Sequence, residues 1–202
     1  MRSSYIENNY GSVFKALVLS SKPELIVECG ILDGYSLYNM ASAVKFNHYK
    51  KGIFGHIYAI DLWDGYEYNH GNYGRVHDLL AEFGLIDYVD LINNDAFEAA
   101  EMFRDGDVDM LHMDISNDGD KLIDTLQRWG SKLSPEGVIV FEGGSVERDE
   151  VKWMKDYKKT PIHSNLKSNP LVYEEWDFQI FDPFPSITLL WKKKGKRYAS
   201  IG

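Results

Sequence analysis

The sequence predicts an α/β fold with a mostly parallel seven-stranded sheet and helices on both of its faces. Short apolar runs alternate with longer amphipathic stretches along most of the chain, which is typical of helices that connect parallel strands. The last two apolar runs, WDFQIF and SITLLWK, are joined by the residues 182–185, which include Pro183 and Pro185. Because this connection is short, it predicts a C-terminal antiparallel hairpin.

The periodicity of the apolar residues predicts the elements before the hairpin. A helix over residues 11–20 leads into the first strand, Leu25–Cys29, and apolar residues then recur at helical spacing from Leu37 to Val44. The remaining elements are predicted, in chain order, as helix 36–46, strand 56–63, helix 72–83, strand 88–92, helix 96–103, strand 108–115, helix 120–133 ending at the turn SPEG, and strand 138–142.

The stretch between the fifth strand and the hairpin is predicted to cover the substrate. Residues 145–159 are strongly charged and predict a solvated helix, whereas the polar residues 160–170 predict a mobile connection. We therefore expect the span 144–173 to be a lid.

Length and composition predict one domain over residues 1–202, whose first 20 residues are an N-terminal helical segment. A net charge of −9 disfavours nucleic acid as a partner and leaves a small molecule. The single cysteine, Cys29, excludes an internal disulfide framework, and no apolar run has the roughly 18 residues that a membrane span needs. We expect a cytoplasmic protein without membrane partners, and leave open a homodimer paired through the N-terminal helix or the hairpin edge.

The turn after the first strand predicts a cofactor cradle. An apolar strand reaches Glu28 and passes through Gly30 and Gly34 into residues that begin a helix. Glycines let the backbone approach a ligand closely, and the helix presents unpaired N–H groups. Because Glu28 would repel a pyrophosphate, the expected ligand carries an ammonium, a sulfonium or ribose hydroxyls. Ordinary turn glycines are the alternative.

Three further acids stand where later strands end. Asp61 ends the second strand, Asp95 follows the third and Asp114 follows the fourth. Ligands of parallel sheets gather beyond these strand ends, so Asp61 can accept hydrogen bonds from ribose hydroxyls, while Asp114 can take a proton or hold a metal ion. Each acid also has a structural interpretation as a cap of a loop or helix, which for Asp95 includes a capping-box pattern with Glu98.

Five alternating strands and a closing hairpin resemble the Rossmann-like class I methyltransferase fold, which binds S-adenosylmethionine. The resemblance covers roughly residues 11–193, and the segments ECGILDGYS, AIDLW, NNDAFE and LHMDIS are similar to the small-molecule O-methyltransferase branch. The first motif of that family is an acid followed by two glycines, matched here by Glu28, Gly30 and Gly34. Leu32 replaces a middle glycine that many methyltransferases carry.

The resemblance implies methyl transfer from S-adenosylmethionine to a hydroxyl of a small metabolite, such as a sugar, a natural product or a catechol-like compound. Leu62 and Trp63 would line the adenine, although covering the sheet is an equal alternative. The cofactor-binding residues that it implies are Glu28, Gly30, Gly34, Tyr35, Ser36, Asp61, Leu62, Trp63, Asp95, Ala96 and Asp114.

The sequence leaves the metal and the proton acceptor open. The divalent-cation branch of the family presents an acid after strand four and an acid with an amide after strand five. Asp114 and Glu142 match these acids and would hold Mg²⁺, but Gly143 offers no side-chain ligand. Without a metal, the candidate bases are Asp114, His112 on the same strand face, and His70 in the aromatic loop 63–74. A packed histidine is the alternative for His112.

The sequence is also compatible with two other classes of protein. A nicotinamide-dependent oxidoreductase would use a similar sheet, but the turn lacks the full GxGxxG pattern and Glu28 would crowd a pyrophosphate. A cofactor-binding protein without transferase activity would differ in its catalytic residues. Convergence of Asp114, Glu142 and His112 beside the position of the cofactor sulfur would favour an enzyme over that class.

Overall fold

A single sheet of seven strands forms the centre of the molecule. The computed structural model describes residues 1–66 and 70–194, so part of the aromatic loop 63–74 lies outside the described residues. The strands, numbered in chain order, are β1 (Leu25–Cys29), β2 (His56–Asp61), β3 (Val89–Asn93), β4 (Val108–Met113), β5 (Leu133–Glu142), β6 (Trp176–Phe181) and β7 (Ile187–Lys192).

The strand order confirms the predicted fold. The order is β3-β2-β1-β4-β5-β7-β6, and β1 to β5 run parallel to one another. β7 pairs antiparallel with both β5 and β6, so the last two strands form the expected hairpin.

Helices cover both faces of this sheet. One buried cluster includes Phe14 and Met40, from helices on one face, while the other includes Leu126 and Leu166, from helices on the opposite face. The helices are α1 (Tyr10–Ser21), α2 (Tyr35–Lys51), α3 (Tyr73–Glu82), α4 (Gly119–Trp129), α5 (Val146–Asp149), α6 (Lys152–Asp156), α7 (Ile162–Ser168) and α8 (Pro170–Glu175). None of the helices in the described ranges is long and apolar enough to span a bilayer.

Two predicted helices are shorter than expected. The predicted helix 96–103 is only a 3₁₀ turn, Glu98–Met102, and the helix predicted to end at residue 133 ends at Trp129. β5 begins at Leu133, which pairs with Val108 across a local irregularity, so SPEG belongs to the strand. The expectation that SPEG separates a helix from the strand was wrong, because these four residues form an irregularity within β5: Leu133 pairs with Val108 and Val138 with Met110.

The segment between β5 and β6 also differs from its predicted structure. Residues predicted as one charged helix form α5 and α6, with extended backbone at Val151 between them. The residues predicted as a mobile connection contain α7, whose Ile162 and Leu166 are buried against the sheet. Asp149 accepts hydrogen bonds from the backbone N–H groups of Ile162 and His163, which ties α5 to α7.

The sheet has its topological switch point between β1 and β4. β2 and β3 lie on one side of β1, whereas β4 and β5 lie on the other, so the connections after β1 and β4 diverge. Ligands of open α/β sheets bind in the crevice that such divergence leaves beyond the carboxyl ends of the strands. Glu28 of β1 and His112 of β4 are paired in register just before this crevice.

Candidate active site

The glycine turn after β1 lies directly against the end of β4. A Cβ atom on Gly30 would stand 2.2 Å from the carbonyl oxygen of Asp114, and Gly30 has a φ of +87°. Both conditions require glycine. Gly34 precedes α2 without a side-chain cap, so the first N–H groups of this helix are available to a ligand.

Glu28 is a buried carboxylate at this turn with one unsatisfied oxygen. Its Oε1 accepts hydrogen bonds from the Ser36 hydroxyl and from Nδ1 of His112, which is 2.9 Å away. Its Oε2 is enclosed and has no hydrogen-bond partner within residues 1–66 and 70–194. A buried acceptor without a partner is costly, so a donor from a bound ligand would stabilise this site.

His112 is buried and both of its ring nitrogens are engaged. Nδ1 contacts Glu28, and Nε2 lies 3.1 Å from the hydroxyl of Tyr5. The Tyr5 hydroxyl has a single proton and also hydrogen-bonds the carboxyl group of Asp114, so the Nε2–Tyr5 contact is part of a chain that runs from Glu28 to Asp114. The ring also packs against Phe14 at 4.7 Å between centroids. These contacts favour the packed interpretation of His112.

Tyr5 links His112 to the carboxyl groups of Asp114 and Glu142. Burial raises the pKa of Tyr5 well above its usual range, and the negative charge of Asp114 raises it further. Burial likewise raises the pKa of Asp114 well above 3.8, with the charge of Glu142 as the second cause. Asp114 as a whole residue is only partly buried, although its carboxyl group is enclosed. The site therefore combines two interacting acids with a buried tyrosine.

Glu142 is held by an arginine and an asparagine. Its Oε1 accepts hydrogen bonds from Nη2 of Arg148 at 3.2 Å and from the hydroxyl of Ser4 at 3.3 Å, and its Oε2 accepts one from Nδ2 of Asn117. Nε of Arg148 donates in turn to Oδ1 of Asn117 at 2.9 Å. Both carboxylate oxygens of Glu142 are thus engaged by protein donors.

The predicted Mg²⁺ site at Asp114 and Glu142 is not supported by this geometry. Mg²⁺ requires near-octahedral oxygen ligands, whereas the Glu142 oxygens already accept three hydrogen bonds. No group of three or more histidine, cysteine or acidic side chains in the described ranges is arranged to hold a metal ion. Gly143 supplies no ligand, and a Cβ atom there would lie 2.4 Å from Oδ1 of Asn117.

Asp61 and Asp95 both accept hydrogen bonds from backbone N–H groups, as their interpretation as caps predicts. The carboxylate of Asp61 accepts hydrogen bonds from the backbone N–H of Ile31 at 2.7 Å and of Trp63 at 2.8 Å. Oδ1 of Asp95 accepts from the backbone N–H groups of Phe97 and Glu98. Asp61 therefore joins the cradle turn to the end of β2. A carboxylate oxygen has two lone pairs, so these bonds leave acceptor capacity for ribose hydroxyls.

The predicted adenine-lining residues differ in their exposure. Trp63 is 3% exposed and its indole N–H donates to the carbonyl of Ile92, so it covers the sheet. Leu62 is 37% exposed. Ala96 is buried, and its carbonyl accepts from the indole of Trp129. Of these side chains, Leu62 has the most surface to offer a ligand.

His70 lies at the cradle turn. Its Nε2 is 3.7 Å from Oδ1 of Asp64, and its carbonyl accepts a hydrogen bond from Arg2. Arg2 also binds the carboxylate of Asp33, and these hydrogen bonds lower the pKa of Asp33 to about 2. The N-terminal residue Arg2 thus connects His70 to the cradle turn. Asp114 interacts instead with Tyr5 and Glu142.

Sequence reasoning missed four residues of the site: Ser4, Tyr5, Asn117 and Arg148. None of them directly follows the apolar run of a strand, and Arg148 belongs to a stretch whose charges indicated a solvated helix. One signal was present in the sequence. Two glycines directly after Glu142 leave a space at that strand end that other side chains can fill.

The sheet order, the closing hairpin and the cradle at the β1–β4 switch point define a class I methyltransferase fold. Similar solved structures include a methyltransferase from Geobacter sulfurreducens, with a TM-score of 0.64 and 18% identity over 92% of this chain and 79% of that chain. The S-adenosylhomocysteine-bound methyltransferase PaMTH1 from Podospora anserina has a TM-score of 0.68 and 18% identity over 96% and 80% of the two chains. At such identities the likeness shows the fold.

A sequence match defines the family. The family described as "Methyltransferase domain" matches residues 27–142, more than half of the chain, and this protein belongs to it. A curated relative, "Uncharacterized protein y4gI" of Sinorhizobium fredii (strain NBRC 101917 / NGR234), is 29% identical over 133 residues, which cover 64% of this chain. The chain spans only 14% of the length of that relative.

A solved O-methyltransferase is also similar. TomG from Streptomyces achromogenes, an O-methyltransferase involved in tomaymycin synthesis and solved in complex with S-adenosylmethionine, has a TM-score of 0.64 and 17% identity. The alignment covers 92% of this chain and 80% of TomG.

Proposed function

We propose that this protein transfers the methyl group of S-adenosylmethionine to a hydroxyl oxygen of a small metabolite. The observation that carries the proposal is the crevice at the β1–β4 switch point, where the turn at Gly30 lies against Asp114 in a chain of the methyltransferase domain family. The cofactors named for PaMTH1 and TomG support the choice of cofactor, and TomG supports an oxygen acceptor. A sugar, a natural product and a catechol-like compound remain the candidate acceptors.

The residues of the cradle fit S-adenosylmethionine. The enclosed Oε2 of Glu28 suits the methionyl ammonium, and the uncapped N–H groups at the start of α2 suit the methionyl carboxylate. Asp61 retains acceptor capacity for the ribose hydroxyls, while Leu62 and the turn at Asp95 and Ala96 would surround the adenine. When bound, the cofactor supplies an electrophilic methyl carbon on a sulfonium.

Asp114 is our proposed proton acceptor. Its carboxyl group lies at the carboxyl end of β4, and burial raises its pKa well above 3.8, which makes its ionised form a stronger base. Tyr5 and His112 lie behind it and would hold it in position, with Glu28 orienting His112. His70, beside Asp64 and Arg2, is assigned to the cradle rather than to proton transfer.

The two other classes of protein are less well supported. The unsatisfied carboxylate oxygen of Glu28 would repel the pyrophosphate of a nicotinamide cofactor. A cofactor-binding protein without transferase activity would not need interacting acids at the switch point, where Asp114 and Glu142 interact.

Ligand binding and product analysis test the proposal together. The midpoint of thermal unfolding is measured with S-adenosylmethionine, S-adenosylhomocysteine and NAD, each with Mg²⁺ and with EDTA. A ligand at about 100 times its Kd stabilises the folded protein by about 2.7 kcal/mol. We expect both adenosyl ligands to raise the midpoint and NAD to leave it unchanged.

Transfer itself is followed with cofactor labelled in its methyl group and panels of catechols, sugars and hydroxylated natural products. Label in a methyl ether product supports O-methyl transfer. No stabilisation by either adenosyl ligand, or stabilisation by NAD alone, would overturn the proposal.

A further inference from the structure

We infer that the guanidinium of Arg148 takes the place of a divalent cation beside Glu142, so that this protein activates its acceptor without a metal. The inference rests on the proposed function, because it concerns how the hydroxyl of the acceptor is ionised. It goes further by naming Arg148 as the cationic group of the site.

The first argument concerns the ligand capacity of Glu142. Arg148 and Ser4 donate to its Oε1, and Asn117 donates to its Oε2. A metal would have to displace these donors, including a guanidinium whose positive charge repels a divalent cation. The pair is shielded from water, since the side chains of Arg148 and Glu142 are each only 11% exposed.

The second argument concerns position 143. A side chain on Gly143 would collide with Oδ1 of Asn117, the same atom that accepts the hydrogen bond from Nε of Arg148. The glycine therefore makes room for Asn117, and Asn117 orients the guanidinium toward Glu142. Gly143, which supplies no metal ligand, therefore allows the position of Asn117 that orients Arg148.

The third argument concerns how firmly Arg148 is held. Its guanidinium carbon lies 5.3 Å from the ring centroid of Trp153 and 5.4 Å from that of Phe184, within the range of cation–π attraction. Its backbone N–H donates to the hydroxyl of Ser145, whose own N–H donates to Ser186 of the hairpin. A guanidinium fixed in this way is pre-organised for binding.

The guanidinium also retains unused donors. Arginine has five N–H groups, of which Nε and Nη2 make the hydrogen bonds to Asn117 and Glu142. Nη1 donates to no residue within the described ranges, so its N–H groups can donate to an oxygen of the acceptor. A cationic donor beside a developing oxyanion stabilises it, and loss of one such donor costs about 10²-fold or more in rate.

Manganese uptake tests the inference without knowledge of the acceptor. The electron paramagnetic resonance signal of free Mn²⁺ is titrated with the S-adenosylhomocysteine-loaded wild type and with Glu142→Gln, Arg148→Gln, Arg148→Lys and Arg148→Gln/Glu142→Gln. Arg128→Gln is the matched control, because Arg128 is an exposed arginine that also lies over an aromatic ring.

We expect wild type, Arg148→Lys and Arg128→Gln to bind no Mn²⁺ through Glu142. We expect Arg148→Gln to gain uptake that the double variant loses. Wild-type uptake that Glu142→Gln abolishes would overturn the inference, and so would the absence of any gain in a folded Arg148→Gln protein. If Arg148→Gln does not fold, the comparison of wild type with Glu142→Gln decides.

Calorimetry with S-adenosylhomocysteine on the same samples keeps this outcome separate from the proposed function. Failure of every variant and of wild type to bind S-adenosylhomocysteine contradicts the proposed function. The Mn²⁺ titration of metal-free samples without that ligand then still decides whether Arg148 excludes the cation.

Discussion

Asp114, the proposed proton acceptor, carries a cost in stability. Burial is the first cause that raises its pKa, and the charge of Glu142 is the second, so the folded protein holds the proton of Asp114 more tightly than the unfolded chain does. Stability therefore falls as the pH rises from 3.8, the reference value for an unfolded chain, through the higher pKa of the folded state. Below pH 3.8, where Asp114 is protonated in both the folded and the unfolded state, burial of its charge does not lower stability.

The substitution Asp114→Asn removes this ionisation while keeping the shape of the side chain. We expect methyl transfer to fall by about 10² to 10⁴-fold, because the proposed proton acceptor is lost. We also expect the free energy of unfolding of the variant, relative to wild type, to increase between about pH 4 and about pH 8. Urea denaturation at the two pH values measures this difference. A difference that does not change with pH would contradict the assignment of the raised pKa.

Tyr5 offers a second test at the residue scale. The substitution Tyr5→Phe removes the hydroxyl that lies 3.1 Å from Nε2 of His112 and leaves that buried nitrogen without its partner. We expect a loss of about 1–3 kcal/mol in the free energy of unfolding, measured by urea denaturation. Tyr157→Phe is the control, because Tyr157 is 71% exposed, and should change stability by less than about 0.5 kcal/mol. Equal effects of the two substitutions would show that the hydroxyl of Tyr5 has no role in the network.

Among the elements, the segment between β5 and β6 departs most from its predicted structure. Its charges indicated a solvated helix and a mobile connection, yet Met154, Ile162 and Leu166 are buried. Apolar residues are sparse in this segment and are divided among four short helices, none of which spans enough turns to give a clear amphipathic period. The lid over the substrate remains our proposal, and it would have to move as a packed unit.

The substitution Leu166→Ala measures how firmly this segment is packed. Leu166 is fully buried among residues of the second cluster, so its truncation should leave a cavity and cost about 2–5 kcal/mol in the free energy of unfolding. Tyr173→Ala, at an exposed position in α8 of the same segment, should cost only about 0.5 kcal/mol. Urea denaturation of both variants provides the comparison. A cost for Leu166→Ala no larger than that of the control would mean that α7 is docked only loosely.

For the whole molecule, the sequence predicts the fold more completely than the site. The alternation of strands and helices is a local pattern, and the cradle lies within one continuous stretch around Glu28 and Gly30. The network that joins Tyr5, His112 and Arg148 to the carboxyl groups draws on the N-terminal residues, β4 and α5. Contacts between segments so distant in sequence leave no local period or spacing, so only the packed structure shows them.

The contact between Gly30 and Asp114 joins the two halves of the sheet where the cofactor is proposed to bind. The substitution Gly30→Ala would place a Cβ atom 2.2 Å from the carbonyl oxygen of Asp114 and would strain the backbone at a φ of +87°. The ends of β1 and β4 must then separate, so we expect a loss of about 1–3 kcal/mol in stability. We also expect the Kd for S-adenosylhomocysteine to rise by more than about tenfold.

Urea denaturation and calorimetry measure the two effects of Gly30→Ala separately. Gly65→Ala is the matched control, because a Cβ atom at Gly65 meets no atom of residues 1–66 or 70–194 within 4 Å and its φ is ordinary. The control should retain both stability and affinity. A site at the switch point would change whenever β1 and β4 move apart far enough to relieve the clash. If Gly30→Ala remains folded and binds S-adenosylhomocysteine as tightly as the control, the cofactor does not bind at this turn.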